Sequence, residues 1–100
     1  LDLCAGSGCI SIALAKNRPV CRVAALEKSP DALGYLRRNA QRNGVKGLSI
    51  LEGDLLAGPG SLPVASFDMI VSNPPYIPAA APSAGTGCVV CSPAAACWWK

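Results

Sequence analysis

The chain has 100 residues, of which 51% are hydrophobic and 15% charged, with a formal net charge of +3. That length bounds it to one small domain, and the apolar content excludes a disordered polymer. No apolar run reaches the roughly 18 residues that a bilayer span requires, and so mild a charge is thin support for a nucleic-acid partner.

The first residues, Leu1-Asp2-Leu3, read as strand interior with no initiator Met and no signal peptide; the only Met is Met69. The expectation is a segment of a longer soluble protein. Residues 1–78 alternate short apolar strands with helical segments, the pattern of an α/β domain with a parallel sheet. Leu1–Leu3 ends a first strand and Gly6-Ser7-Gly8 is a turn. Cys9–Lys16 follows as a short helix closed by Asn17-Arg18-Pro19, and Cys21–Leu26 is a second strand ending at Glu27.

Ser29-Pro30-Asp31 opens the next helix with three agreeing signals: a side-chain cap, a proline suited to the first helical position, and an acid that complements the dipole. Ala32, Leu33, Leu36 and Ala40 recur at the spacing of one buried face, and Asn43-Gly44 ends the helix. Leu48–Leu51 is a third strand running into Glu52-Gly53-Asp54, and Ala57–Pro63 is a loop rich in Gly and Pro. Phe67–Ser72 is a fourth strand that delivers Asn73-Pro74-Pro75-Tyr76. From Ala79 onward Ala, Pro, Ser, Gly and Cys dominate, with neither strand nor helix period. The expected division is a partial domain over 1–78 and an irregular low-complexity tail over 79–100 that is not its natural continuation.

Arg37, Arg38, Arg42 and Lys46 lie together on or just after the second helix. They read as a solvated face, the alternative being a patch for an acidic partner or nucleic acid. The six cysteines do not read as a disulfide framework. Cys4, Cys9 and Cys21 stand among apolar residues, where a free thiol behaves as a small hydrophobe. Cys88-Val89-Val90-Cys91 has metal-ligand spacing, but no second pair follows and the chain lacks His, so no metal site is expected.

Three constellations carry chemistry. In Asp2-Leu3-Cys4-Ala5-Gly6-Ser7-Gly8 the glycines permit a sharp turn and close approach of a ligand, and the next helix aims free N–H groups at it. Ser11 stands where the dinucleotide fingerprint has its third glycine, so a pyrophosphate is not strongly indicated. Glu27, 21 residues beyond Gly6, would place a carboxylate beside the cleft, able to accept from both hydroxyls of a ribose. Asp54, on the same edge, is placed to meet an adenine amino group.

The third constellation is Asn73-Pro74-Pro75-Tyr76. Two prolines stiffen the loop and cannot donate, so it presents carbonyls. The Asn73 side-chain oxygen and the Pro74 carbonyl can together accept both hydrogens of an –NH₂ group, and Tyr76 offers a ring face for a planar amide or aromatic amine.

With these residues the chain resembles the class I methyltransferases, and within them the HemK/PrmC family of release-factor glutamine methyltransferases. The resemblance covers residues 1–78 and is carried by Gly6-Ser7-Gly8 and by Ile70-Val71-Ser72-Asn73-Pro74-Pro75-Tyr76-Ile77. It implies a truncated Rossmann-like fold of about four parallel strands in the order 3-2-1-4 with flanking helices. It further implies S-adenosylmethionine as cofactor, methylation of a glutamine side-chain amide in a peptide-chain release factor, and a cytoplasmic setting without membrane contact. By position, Asp2, Cys4, Ala5, Gly6, Ser7, Gly8 and Glu27 would hold the cofactor, with Asp54 and Leu55 near its adenine. Asn73 would touch cofactor and substrate, and Pro74, Pro75 and Tyr76 would frame the amide, with Asn73, Pro74 and Tyr76 serving catalysis. Cys4 replaces a glycine common at its position, an exchange expected to be tolerated on size. Two rival readings are methylation of an exocyclic amine of adenine or guanine in nucleic acid, and a non-catalytic truncated segment whose fourth strand is an exposed edge.

Overall fold

A computed structural model of the chain describes residues 1–57, 62 and 67–74, together with the backbone of 89–91. Five strands form one sheet: β1 (Asp2–Leu3), β2 (Val23–Glu27), β3 (Leu48–Glu52), β4 (Ile70–Ser72) and β5 (Val89–Cys91), in the order β3-β2-β1-β4-β5. The first four are mutually parallel, as expected of a sheet whose strands are separated by helical crossovers. Helices α1 (Cys9–Asn17) and α2 (Pro30–Arg42) make the first two crossovers, and a 3₁₀ turn spans Leu55–Ala57.

The local rules read from the sequence operate at α2. The Ser29 hydroxyl accepts from Ala32 N–H at 3.4 Å, Pro30 takes the first helical position, and Asp31 lies in the first turn. At the other end Gly44 adopts φ 68°, letting Val45 N–H reach the Ala40 carbonyl (2.9 Å) and Gly44 N–H reach Gln41 (3.0 Å). These two bonds satisfy carbonyls that a helix terminus otherwise leaves open. The face between the caps buries Leu33, Leu36 and Ala40 against Ile12 of α1 and Ala25 of β2. Burying each leucine contributes roughly 1.5–3 kcal/mol, which makes this face the main anchor of the helices on the sheet. β2 lies between β3 and β1 and is buried from Val23 to Leu26, as its unbroken apolar run requires.

Two differences from the sequence reading have clear causes. The fourth strand is not an edge: Val89–Cys91 pairs antiparallel with it, Val71 opposite Val90, although the surrounding composition shows no strand period. Two adjacent β-branched residues suit an extended strand. Nor are Cys9 and Cys21 buried hydrophobes, for both are exposed free thiols. Cys9 occupies the first position of α1 with its sulfur 3.3 Å from the Ser7 hydroxyl, and Cys21 precedes β2 in a bend tied by its N–H to the Arg18 carbonyl at 2.9 Å. The residue buried on α1 beside Ile12 is instead Ser11. Cys88 lies outside the described residues, and among those described no group of His, Cys, Asp or Glu is placed to hold a metal. No described helix is long and apolar enough to cross a membrane.

Candidate functional site

The strand order creates the site. Strands β1, β2 and β3 step outward in one direction, and β4 then adds on the other side of β1. At such a reversal the connections diverge, leaving a crevice outside the carboxyl ends of the strands. The register fixes what borders it. Leu3 pairs with Leu26 on one side and with Ser72 on the other. One residue further, Cys4, Glu27 and Asn73 therefore leave the sheet at a common level, and Glu52, paired with Glu27, shares it. The glycine turn, the acid of β2 and the Asn-Pro pair after β4 meet at one edge.

The turn after β1 is left-handed at three of five positions: Cys4 (φ 57°), Gly6 (φ 57°) and Gly8 (φ 86°). Glycine adopts this conformation freely; a residue with a Cβ does so at a cost of roughly 1–2 kcal/mol. Cys4 is thus more than a small-for-small exchange, because the backbone there takes the form a glycine would adopt without strain. At Gly8 a Cβ would also run into Leu36 Cδ1 and lie 2.9 Å from Ile12 Cδ1. A Cβ on Gly6 would meet nothing within 4 Å, so the turn is open on that side.

Side chains from several elements secure this turn. Glu27 Oε2 accepts from Gly6 N–H at 2.7 Å, while Oε1 accepts from Lys28 N–H (2.9 Å) and Ser29 N–H (2.8 Å). A carboxylate offers about four acceptor positions, so one on Oε2 remains for a ligand, and serving two ribose hydroxyls requires a backbone donor to yield. Asp2, 2% exposed, accepts from Ser11 N–H at 3.1 Å beneath the turn. Burial pushes its carboxyl above the ordinary value of 3.8, with the Ser11 bonds opposing that rise. Burial, and then the Glu27 carboxylate, pushes the Cys4 thiol up as well, which keeps it protonated beside the crevice. Ser11 hydroxyl reaches the Gly8 carbonyl (3.4 Å), Asn39 Nδ2 donates to the Ser7 carbonyl (3.0 Å), and Ser72 hydroxyl donates to the Leu3 carbonyl (3.1 Å).

The turn after β3 is built differently. Asp54 Oδ1 accepts from Leu56 N–H at 2.9 Å, and Oδ2 lies 2.7 Å from Lys28 Nζ, an ion pair that joins the ends of β2 and β3. The lysine bond holds the Asp54 carboxyl below its ordinary value and raises that of Lys28. Both Asp54 oxygens are thus engaged, Leu55 is half-buried, and Leu56 is 92% exposed. Across the crevice Asn73 is exposed and Pro74 half-buried; Pro75 and Tyr76 lie outside the described residues.

The sequence reading did not single out Asn39 as a site residue, and it noted Ser11 only as a departure from a fingerprint. The signal for Asn39 was an amide on the shoulder of a helix face otherwise formed by Leu33, Leu36 and Ala40. For Ser11 it was a hydroxyl three residues after a turn glycine, at the position that packs against the strand.

A parallel sheet of order 3-2-1-4 with these loops at its switch point defines an α/β domain of the class I methyltransferase type. The solved structure of a precorrin-6Y C5,15-methyltransferase from Geobacter metallireducens shares that fold, with a TM-score of 0.57 at 23% identity over 71% of this chain and 50% of that one. The chain belongs to the methyltransferase small domain family, which it matches over residues 1–91. It is 48% identical over 80 residues to the release factor glutamine methyltransferase of Geobacter sulfurreducens, covering 80% of this chain and 27% of that protein. It is also 42% identical over 78 residues to the ribosomal protein uL3 glutamine methyltransferase of Bordetella pertussis, covering 77% of this chain and 25% of the relative. The chain therefore spans about a quarter of the length of these relatives.

Proposed function

We propose that this chain forms the cofactor pocket and acceptor loop of a cytoplasmic enzyme that transfers a methyl group from S-adenosylmethionine to a glutamine side-chain amide of a peptide-chain release factor. One observation carries the reading: Gly6, Glu27 and Asn73 converge on one edge at the switch point of the sheet. The residues fit such a cofactor, since the turn is open at Gly6 and Glu27 Oε2 keeps an acceptor position for a hydroxyl. Asp2, Cys4, Ala5, Gly6, Ser7 and Gly8 would floor the pocket, Glu27 would take the ribose, and Leu55 would border the adenine. Asp54, already bonded to Lys28 and Leu56, would shape that border more than bind the base.

When bound, the cofactor supplies an electrophilic sulfonium methyl. The chain's own work is on the nitrogen. An amide nitrogen is a poor nucleophile because its lone pair is delocalised. The Asn73 side-chain oxygen and the Pro74 carbonyl accept its two hydrogens, fixing its orientation and returning electron density to it, and the hydrogen that the methyl replaces leaves as a proton to water. By the family resemblance Pro75 and Tyr76, which lie outside the described residues, would frame the amide. The glutamine acceptor is supported by the names of the relatives, a release factor glutamine methyltransferase and a ribosomal protein uL3 glutamine methyltransferase.

The test is a labelled-methyl transfer assay offering intact release factor, ribosomal protein uL3, DNA and RNA. Label on a release-factor glutamine supports the reading. Label on uL3 alone redirects the substrate within the same chemistry, and label on nucleic acid or on nothing overturns it.

A further inference from the structure

The turn after β1 is held through its peptide units, two of which are fixed at both ends. In the unit joining Ala5 to Gly6, the carbonyl accepts from Gly8 N–H at 2.8 Å and the N–H donates to Glu27 at 2.7 Å. In the unit joining Ser7 to Gly8, the N–H donates to Ala5 and the carbonyl accepts from Asn39 Nδ2 at 3.0 Å. Between them, the unit joining Gly6 to Ser7 has no hydrogen-bond partner among the described residues. A planar peptide with both neighbours fixed has little rotational freedom. The Gly6 carbonyl and the Ser7 N–H are thus held in one direction, at the open side of the turn where a Cβ on Gly6 would meet nothing within 4 Å.

Of the four ends that fix the two outer units, the Ser7 carbonyl is the one held by an element remote from the cofactor edge. Asn39 stands on α2, 32 residues from Ser7. Leu36, one turn earlier, already packs into the space beside Gly8. Packing sets how closely helix and turn approach, but a methyl group is indifferent to the rotation of a peptide plane. A directed N–H donor is not. Asparagine is a poorer helix former than the Ala and Leu beside it, and among the described residues the bond to Ser7 is the one its side chain makes.

We propose that Asn39 is a positioning residue for the cofactor turn: by holding the Ser7 carbonyl it aims the free Gly6–Ser7 peptide unit into the adenosyl pocket. This rests on the cofactor reading above, and the test separates the two. Asn39→Ala and Asn39→Asp are compared with the unmodified chain in calorimetric titration with S-adenosylhomocysteine and in amide hydrogen exchange. Asn39→Ala weakens binding on the order of tenfold, the equivalent of one lost hydrogen bond. Asn39→Asp, equal in shape but lacking the donor, binds worse still at about pH 8, because an ionised oxygen then faces a carbonyl. As pH falls and its carboxyl gains a proton it can donate, the ratio of its Kd to that of the unmodified chain shrinks toward one, while the ratio for Asn39→Ala stays flat. In the absence of ligand, exchange of the Gly8 amide accelerates severalfold in Asn39→Ala while that of Ala25 in the core does not. Unchanged Kd and Gly8 exchange in both variants would overturn the proposal, as would equal acceleration at Gly8 and Ala25, which marks mere loss of stability. If the unmodified chain binds no S-adenosylhomocysteine, the cofactor reading fails and the aiming role fails with it, while Gly8 exchange still decides whether Asn39 holds the turn.

Discussion

The two turns after β1 and β3 border one side of the crevice and are built on opposite plans. After β1, the segment Cys4–Gly8 is left-handed three times and tied by side chains from β1, β2, α1 and α2. After β3, the segment Asp54–Ala57 is tied by its own backbone, by the Asp54 carboxylate within the turn and by one ion pair whose lysine is 70% exposed. The first arrangement fixes one backbone conformation, including a left-handed Cys4 that would not be adopted freely. The second leaves Leu56 in solvent and can readjust cheaply, because an exposed pair exchanges its partner for water with little loss. A rigid floor and an adaptable wall suit a ligand whose reactive centre must be placed closely while its base need only be covered.

That contrast is broken most easily at Gly8. A methyl group there meets Leu36 and Ile12 and demands a left-handed alanine, so Gly8→Ala should destabilise by roughly 3 kcal/mol or more. Chemical denaturation checks this, and a loss below about 1 kcal/mol would show the turn to be more pliable than described. Glu27→Ala comes next. It removes a charged acceptor from three N–H groups and from the proposed ribose position, with about 1–2 kcal/mol lost in stability and S-adenosylhomocysteine binding weakened on the order of 100-fold. Binding that survives within a factor of about three would remove Glu27 from the pocket.

Asp2 supplies a smaller effect with a defined sign. Burial raises its folded carboxyl value above 3.8, so its contribution to stability is fully present below that value and fades as pH rises through the folded one. Asp2→Asn keeps an acceptor for Ser11 N–H but cannot ionise. Relative to the parent, its thermal midpoint should therefore gain as pH climbs from about 3 to about 7. A relative midpoint of Asp2→Asn that falls as pH climbs over that range would contradict the assignment. The smallest effect is expected on the adaptable wall: Lys28→Met should leave the midpoint unchanged and remove any salt dependence that the Lys28–Asp54 pair gives to cofactor binding. A midpoint loss comparable to that of Glu27→Ala would erase the difference between the two turns.

The sequence exposed the parts of this arrangement that are local. Gly6 and Gly8 lie in the turn that follows β1, Glu27 ends β2 and Asn73 directly follows β4, so the strand ends carry them to one edge once the sheet is parallel. Helix α2 was legible because Ser29, Pro30 and Gly44 mark its ends in the chain itself. What escaped depends on contacts between distant segments. Asn39 meets Ser7 only because Leu36 docks α2 on the turn, and Asp54 meets Lys28 only because β2 and β3 pair in register. The strain at Cys4 is a property of φ, which composition does not report. Strand β5 takes its partner from β4 within a stretch whose composition carries no period.

The central claim is best tested by mapping amide and side-chain shifts as S-adenosylhomocysteine is titrated into the isotopically labelled chain. The account predicts saturable shifts at Gly6, Ser7, Glu27 and the Asn73 side-chain amide. Shifts confined to the groove of about 320 Å³ beside β3, lined by Arg37, Val45 and Lys46, would contradict it, as would a spectrum that does not change.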